Sequence, residues 1–258
     1  MPRLAREKSN SGIYHIILRG RTGRAIFRDD EDNLMFLKKL GRCGRELKVQ
    51  IYAWCLMIDH LHLLIKRGEE ELSDTMKRLA VSYAGHYNRK YKSMGHVFYG
   101  RYQSENIETD EYLLTVARYI HQNPVNAGIA STPSEWKWSS CGEYYGEEAC
   151  PAGLLDIKPL LKTFSEDEAA ASQDFRKFNE ARNQDSCMDC NSSVKLTDDQ
   201  ARAHITSLAP EMDIGEIRNL PKGIRNEIIM KIKKIDGLSQ RQAARILGLS
   251  QTLISMVQ

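Results

Sequence analysis

The chain has 258 residues, 41% apolar and 28% charged, with a formal net charge of only +3. That length suits one medium domain with a smaller one, and the composition supports a packed core rather than a disordered chain. No apolar run approaches a membrane span and no signal-like segment follows the polar start, so a cytoplasmic, non-membrane protein is expected.

In chain order, residues 12–19 (GIYHIILR) are rich in β-branched and aromatic side chains and predict a strand. Residues 31–47 carry Leu34, Leu37, Leu40 and Leu47 at near-helical spacing. Residues 49–58 and 61–66 read as two strands joined tightly around Asp59 and His60. Ser73 and Asp74 open a long helical pattern running to about Tyr91, and residues 101–107 predict a fourth strand. Thr109 or Asp110 caps a further helix, expected to end near Asn123 because the residue before Pro124 resists the α conformation. The first six elements give β-α-β-β-α-β, the split arrangement of an α+β, ferredoxin-like antiparallel sheet with helices on one face. Many activities share that arrangement, so it leaves function open.

Past Ser140 the patterning weakens. A first domain over 1–148 is expected, then a polar linker or loosely packed helices over 149–213, then a small all-α domain over 214–258. Charge follows the same division. Residues 1–28 hold seven Lys/Arg against one acid, 151–220 hold eight against thirteen, and 221–258 hold seven against two. Basic ends flanking an acidic middle suit contact with phosphate at both ends. The six cysteines are too scattered for a disulfide framework. Cys187 and Cys190 have the spacing of half a zinc site, but with no second pair nearby they are expected to be free thiols.

His60-Leu61-His62 is the chemical centre of the sequence. Alternate strand residues face the same way, so both imidazoles project from one side and can bind a divalent ion together. Alone, the pair is a weak signal, more often two buried histidines that each need a partner. Tyr112, Val116, Tyr119 and Asn123 share one face of the following helix. A tyrosine and an amide one turn apart can meet the same ion, Asn123 as an oxygen ligand and Tyr119 as the attacking group. Without the histidine pair, the tyrosines read as core residues of an amphipathic helix.

Four ordered motifs, 56–65 (LMIDHLHLLI), 98–102 (FYGRY), 118–128 (RYIHQNPVNAG) and 136–140 (WKWSS), resemble the REP-associated tyrosine transposases. These are a branch of the single-tyrosine HUH transposases, in which HUH denotes His-hydrophobic-His. The resemblance spans roughly residues 10–145. It implies that His60, His62 and Asn123 hold Mg²⁺ or Mn²⁺ and that Tyr119 attacks a single-strand phosphodiester. The implied product is a 5′-phosphotyrosine with a free 3′-OH, which stores the bond for rejoining. The implied substrate is single-stranded hairpin DNA of REP-like repeats. Related insertion-sequence enzymes pair while this branch is monomeric, so monomer and homodimer both stay open. Asp59 departs from the Asn common before the first histidine, and a carboxylate there could add a ligand or tune the metal.

Arg19, Arg21, Arg24 and Arg101 are candidate phosphate contacts, as are Arg28, Lys77, Arg78, Arg89, Lys90 and Lys92; Phe98, Tyr99 and Tyr102 are candidate stacking residues. Trp136 and Trp138 are expected to pack, and no role is assigned to His121. Residues 240–257 fit a helix-turn-helix with Ala244 at the crossing, Gly248 in the turn, and Ile254 and Val257 as anchors. It resembles the tryptophan-repressor and replication-initiator type, which would put Gln251, Thr252 and Ser255 against duplex DNA. The sequence stops inside the expected recognition helix, so truncation and weakened duplex binding are expected. The rivals to a transposase are a non-catalytic sequence-specific DNA-binding regulator, a replication initiator, and a water-using metallohydrolase.

Overall fold

The computed structural model describes residues 7–21, 24–147, 151, 153–185, 187–188, 196, 198–208, 214–233, 235, 238 and 240–257. The chain divides into two compact units, residues 1–188 and 189–258.

The first unit runs β1 (Ile13–Arg19), α1 (Asp30–Leu47), β2 (Gln50–Leu56), β3 (His60–Lys66), α2 (Leu72–Lys90), β4 (Gln103–Ile107) and α3 (Asp110–Asn126). The strands form one antiparallel sheet in the order β2-β3-β1-β4, as expected for the split arrangement. Asp29 caps α1 by accepting from the Asp32 N–H, and Asp30, Glu31 and Asp32 complement the positive end of the helix. Of the two caps considered for α3, Thr109 serves, accepting from the Tyr112 N–H.

Period-two alternation assigns the two faces of the sheet. Tyr14, Ile16, Leu18, Leu61, Leu63 and Ile65 meet Phe36, Leu37 and Leu40 of α1 and Met76, Leu79 and Tyr83 of α2. Ala53, Cys55, Leu64 and Ile107 instead share a core with Leu113, Val116, Ala117 and Ile120 of α3. The one-face arrangement therefore holds for α1 and α2, whereas α3 covers the opposite face. Histidines at alternate positions of β3 share that second face with Leu64.

Helix α3 continues through Pro124 to Asn126, three residues beyond the expected end. Pro124 is buried and its fixed φ suits a helix, so the loss of one N–H is offset by packing of that last turn. The helix closes with Ala127 N–H donating to the Asn123 carbonyl, and Gly128 takes a left-handed φ of 68° that the turn requires.

Residues 136–140 lie along the outer edge of β2. The Leu56 N–H donates to the Trp138 carbonyl (2.8 Å), the Ser140 N–H to the Trp54 carbonyl (2.9 Å), and the Trp136 indole to the Leu56 carbonyl (3.0 Å). Both tryptophans thus help to cover an edge that would otherwise expose unpaired backbone groups.

Of the two expectations for the stretch after residue 148, linker or helices, its first part is helical. The short α4 (Cys141–Tyr144) precedes it, and the short α5 (Lys158–Leu161) and the longer α6 (Glu168–Glu180) join the first unit, with Leu160, Ala171 and Phe175 in one core with Tyr144. Large apolar residues are sparse here, but Leu160, Leu161, Phe164 and Phe175 all turn toward one core, which is enough to dock the segment.

The second unit contains α7 (Asp198–Leu208), a 3-10 turn (Ile214–Asn219), α8 (Lys222–Lys233), α9 (Gln240–Leu247) and α10 (Gln251–Met256). Its own core joins Ala201, Ile205, Ile217, Ile229, Ile232, Ala244, Leu247, Ile254 and Val257. Gly248 has a left-handed φ of 66° between α9 and α10, and Ser250 caps α10 by accepting from the Leu253 N–H at 3.2 Å. Among the described residues, no helix is long and apolar enough to cross a membrane.

Candidate active site

His60 and His62 sit two residues apart on β3, with ring centroids 5.2 Å apart and planes at 82°. His62 pairs across the sheet with Ile17 and Cys55, and His60 with Arg19. Helix α3 lies over this face and brings Tyr119 to the pair, its ring centroid 5.8 Å from that of His62 at an edge-on 77°. Asn123 follows one turn later and donates its amide nitrogen to the Tyr119 carbonyl at 2.9 Å, which leaves its oxygen as the end able to serve as a ligand.

Each histidine is held through Nδ1. His60 Nδ1 lies 2.7 Å from Asp59 Oδ1, and His62 Nδ1 lies 3.0 Å from His15 Nε2. The Nε2 atoms of both are buried and have no hydrogen-bond partner. Buried imidazole nitrogens are normally satisfied, so two such atoms on one sheet face fit a ligand-binding role. Burial, reinforced by His15 and His60 alongside, holds His62 well below the ordinary histidine pKa and keeps it neutral, the form that binds metal. The hydrogen bond from His60, with Arg19 nearby, holds the Asp59 carboxyl below its ordinary range.

Among the described residues, no three His, Cys, Asp or Glu side chains are grouped to hold a metal ion. The expected set draws its third ligand from Asn123, a residue type outside that group. In that expected set the donors would be two imidazole nitrogens and one amide oxygen.

His15 and Glu105 were not singled out from the sequence. His15 is fully buried, stacks on His62 with centroids 5.2 Å apart, and lies edge-on to Tyr119 at 6.0 Å. Its Nδ1 is 3.4 Å from Glu105 Oε2, and Glu105 also accepts from the Tyr112 hydroxyl at 2.7 Å. Burial works against the Glu105 carboxylate, but the hydrogen bonds from His15 and Tyr112 prevail and lower its pKa. A histidine inside an apolar strand was the available signal; only the β1–β3 and β1–β4 registers reveal its partners.

Arg19 pairs with His60 across β1 and β3. Arg21 is exposed in the loop after β1. Arg24 instead packs, 5.2 Å above the Tyr87 ring and bonded to Ser93 Oγ at 3.2 Å. Arg101 is exposed beside a groove of about 430 Å³ shared with Met76, Lys77 and Ala80 of α2, on the α2 side of the sheet. Lys90 is tied to Asp29, Glu31 and Asp32, and Arg28 packs over Tyr91. Phe98 and Tyr102 are core residues, and of the three candidate stacking residues only Tyr99 is exposed. His121 is buried against Tyr144 and Phe175 and pairs with Ser140 Oγ at 2.9 Å. In the second unit Gln251, Thr252 and Ser255 are exposed while Ile254 and Val257 are buried. Cys187 is partly buried without a disulfide, and Cys190 lies outside the described residues.

Fold and site together define an α+β protein whose candidate centre is a histidine pair on a sheet faced by one helix-borne tyrosine. Residues 8–123, just under half of the chain, match the family model for IS200-like transposases. The family resemblance carried by the sequence motifs is thereby borne out. A solved structure of a REP-associated tyrosine transposase bound to a REP hairpin is 18% identical, with a TM-score of 0.49 over 61% of this chain and 90% of that one. A candidate transposase from Deinococcus radiodurans R1 is 17% identical, with a TM-score of 0.33 over 46% of this chain and 96% of that one. No curated protein sequence matches the chain significantly.

Proposed function

We propose that the first unit is a metal-dependent, site-specific single-strand DNA endonuclease and strand transferase acting on hairpin-forming, REP-like repeat DNA. The observation that carries this reading is the pair of unpartnered Nε2 atoms of His60 and His62 on the sheet face occupied by Tyr119. In this reading His60, His62 and Asn123 hold the ion. Bound Mg²⁺ or Mn²⁺ would neutralise a non-bridging phosphate oxygen and so relieve the repulsion that a phosphodiester presents to a nucleophile. The Tyr119 oxygen attacks phosphorus, the Tyr–O–P bond forms, and the P–O3′ bond breaks. The phenolic proton is lost and the 3′ oxygen leaves as a hydroxyl. Rejoining runs the same exchange in reverse with another 3′-OH, so neither water nor a nucleotide is consumed.

Arg19, beside His60, suits a contact to the neighbouring phosphate, and exposed Arg21 and Arg101 suit contacts further along the strand. The His62–Tyr119 ring contact lies within one chain, which supports a centre that a monomer can build. The exposed Gln251, Thr252 and Ser255 on α10 suit binding of duplex DNA by the second unit. That exposure also favours the alternative reading, a DNA-binding regulator whose first unit is inert.

Incubation with labelled single-stranded hairpin DNAs and Mn²⁺, followed by a denaturing protein gel, separates the two. A covalent band that requires metal and disappears in Tyr119→Phe is expected. Absence of the band with duplex binding intact would favour the regulator.

A further inference from the structure

We propose that Glu105 and His15 are positioning residues that set the tautomer of His62 so that its Nε2 lone pair faces the site. The inference rests on the reading of His62 as a ligand. His15 lies between Glu105 Oε2 (3.4 Å) and His62 Nδ1 (3.0 Å), fully buried and stacked on the His62 ring at an interplanar angle of 21°.

The direction of the chain follows from donor accounting. The Glu105 carboxylate only accepts, and it already takes the Tyr112 hydroxyl at 2.7 Å and the Met188 N–H at 3.2 Å. Toward it His15 presents Nδ1–H. With His15 taken as neutral and carrying one N–H, its Nε2 is an acceptor and His62 donates Nδ1–H to it. The remaining nitrogen, His62 Nε2, keeps its lone pair, and this is the buried atom with no partner.

His60 reaches the same state by a shorter route, because Asp59 Oδ1 accepts from its Nδ1 directly at 2.7 Å. Two carboxylates thus prepare two Nε2 lone pairs, one directly and one through an intervening imidazole. A partner of this kind fixes both the tautomer and the ring orientation of a ligating histidine. Glu105 sits on the edge strand β4 and is held in turn by Tyr112 of α3 and by the backbone at Met188, so the relay spans the sheet from β4 to β3.

The test uses the full-length, metal-free protein with ¹⁵N-labelled histidine. Two-bond ¹H–¹⁵N correlations at neutral pH identify the tautomer of each ring, and Mn²⁺ titration followed by electron paramagnetic resonance gives affinity. The wild type is expected to hold His15 and His62 as Nδ1–H tautomers. Glu105→Leu, which leaves no acceptor for His15 Nδ1, is expected to let His62 move toward Nε2–H and to weaken Mn²⁺ binding by about 10- to 100-fold. Glu105→Gln, whose amide oxygen can take the place of Oε2 before both the Met188 N–H and His15, is expected to keep the His62 tautomer. His15→Gln, whose amide oxygen can still accept from His62, should keep the His62 tautomer, and His15→Phe should not. An Nε2–H His62 or a doubly protonated His15 in the wild type would overturn the proposal. So would an unchanged His62 tautomer and affinity in a folded Glu105→Leu protein. Expected tautomers without Mn²⁺ binding would support the relay and count against the metal reading.

Discussion

Arg118 and Asp185 form a two-point ion pair, Nε to Oδ2 at 2.7 Å and Nη2 to Oδ1 at 2.9 Å, with each side chain only 13% exposed. Arg118 precedes Tyr119 on α3, and its guanidinium also lies 4.0 Å from the centre of the Phe178 ring. Next to it Gln122 donates to the Asn179 carbonyl at 2.6 Å. The end of α6 and the segment that follows it therefore hold the tyrosine helix through Arg118 and Gln122. Planar, paired hydrogen bonds at low exposure are the strong kind, and removal of one partner strands the other. Arg118→Ala is expected to lower stability by about 2 kcal/mol in denaturant unfolding and to open residues 178–185 to protease. Unchanged unfolding and protection would show that the pair contributes nothing.

His121 gives a pH prediction. Burial pulls its pKa from the ordinary 6.5 to about 4, so the folded state holds it neutral where the unfolded chain would protonate it. The unfolded state thus binds more protons between those two values, and stability falls as pH drops through that window. The contribution of this residue should be flat above about pH 6.5 and fall by up to about 1.4 kcal/mol per pH unit toward pH 4. Unfolding free energies at several pH values, compared with His121→Gln, isolate it. Parallel curves for the two proteins would refute the assignment.

Asp59 holds His60 through an acceptor oxygen, which an asparagine side chain also offers. Asp59→Asn is therefore expected to bind Mn²⁺ within a few-fold of the wild type. Asp59→Ala leaves His60 Nδ1 without that acceptor and should weaken binding by about 10- to 100-fold. Calorimetric titration of both variants distinguishes an orienting carboxylate from a ligating one, for which the asparagine would fail as well.

Gly248 sets the turn between α9 and α10 at a φ of 66°, where a side chain is strained. Gly248→Ala should destabilise the second unit by about 1 kcal/mol. Duplex binding should weaken with it, while Tyr119-dependent covalent labelling of hairpin DNA by the first unit should be retained. Loss of labelling in this variant would show that the first unit needs an intact second unit.

The order of the first seven elements was legible from the sequence because each is specified locally. The strand at 13–19 is dense in β-branched residues, Thr109 sits where a cap is needed, and His60 and His62 share a face by strand periodicity alone. The end of α3 was misjudged because the local preference of the residue before Pro124 yields to burial of Pro124 itself. The docking of residues 158–180 was hidden because a polar segment needs only a few apolar side chains, such as Leu160 and Phe175, directed at one core.

What the sequence determined by itself was the chemistry on offer: two imidazoles on one strand, a tyrosine and an amide one turn apart, and the family those motifs resemble. What only the tertiary structure decided was orientation. The pairing of β1 with both β3 and β4 puts His15 between Glu105 and His62, although these residues are distant in sequence. The packing of α3 on the second face of the sheet brings Tyr119 to His62. Hydrogen-bond direction along such a chain depends on which atoms meet across strands, and register, unlike periodicity, is set by the whole fold.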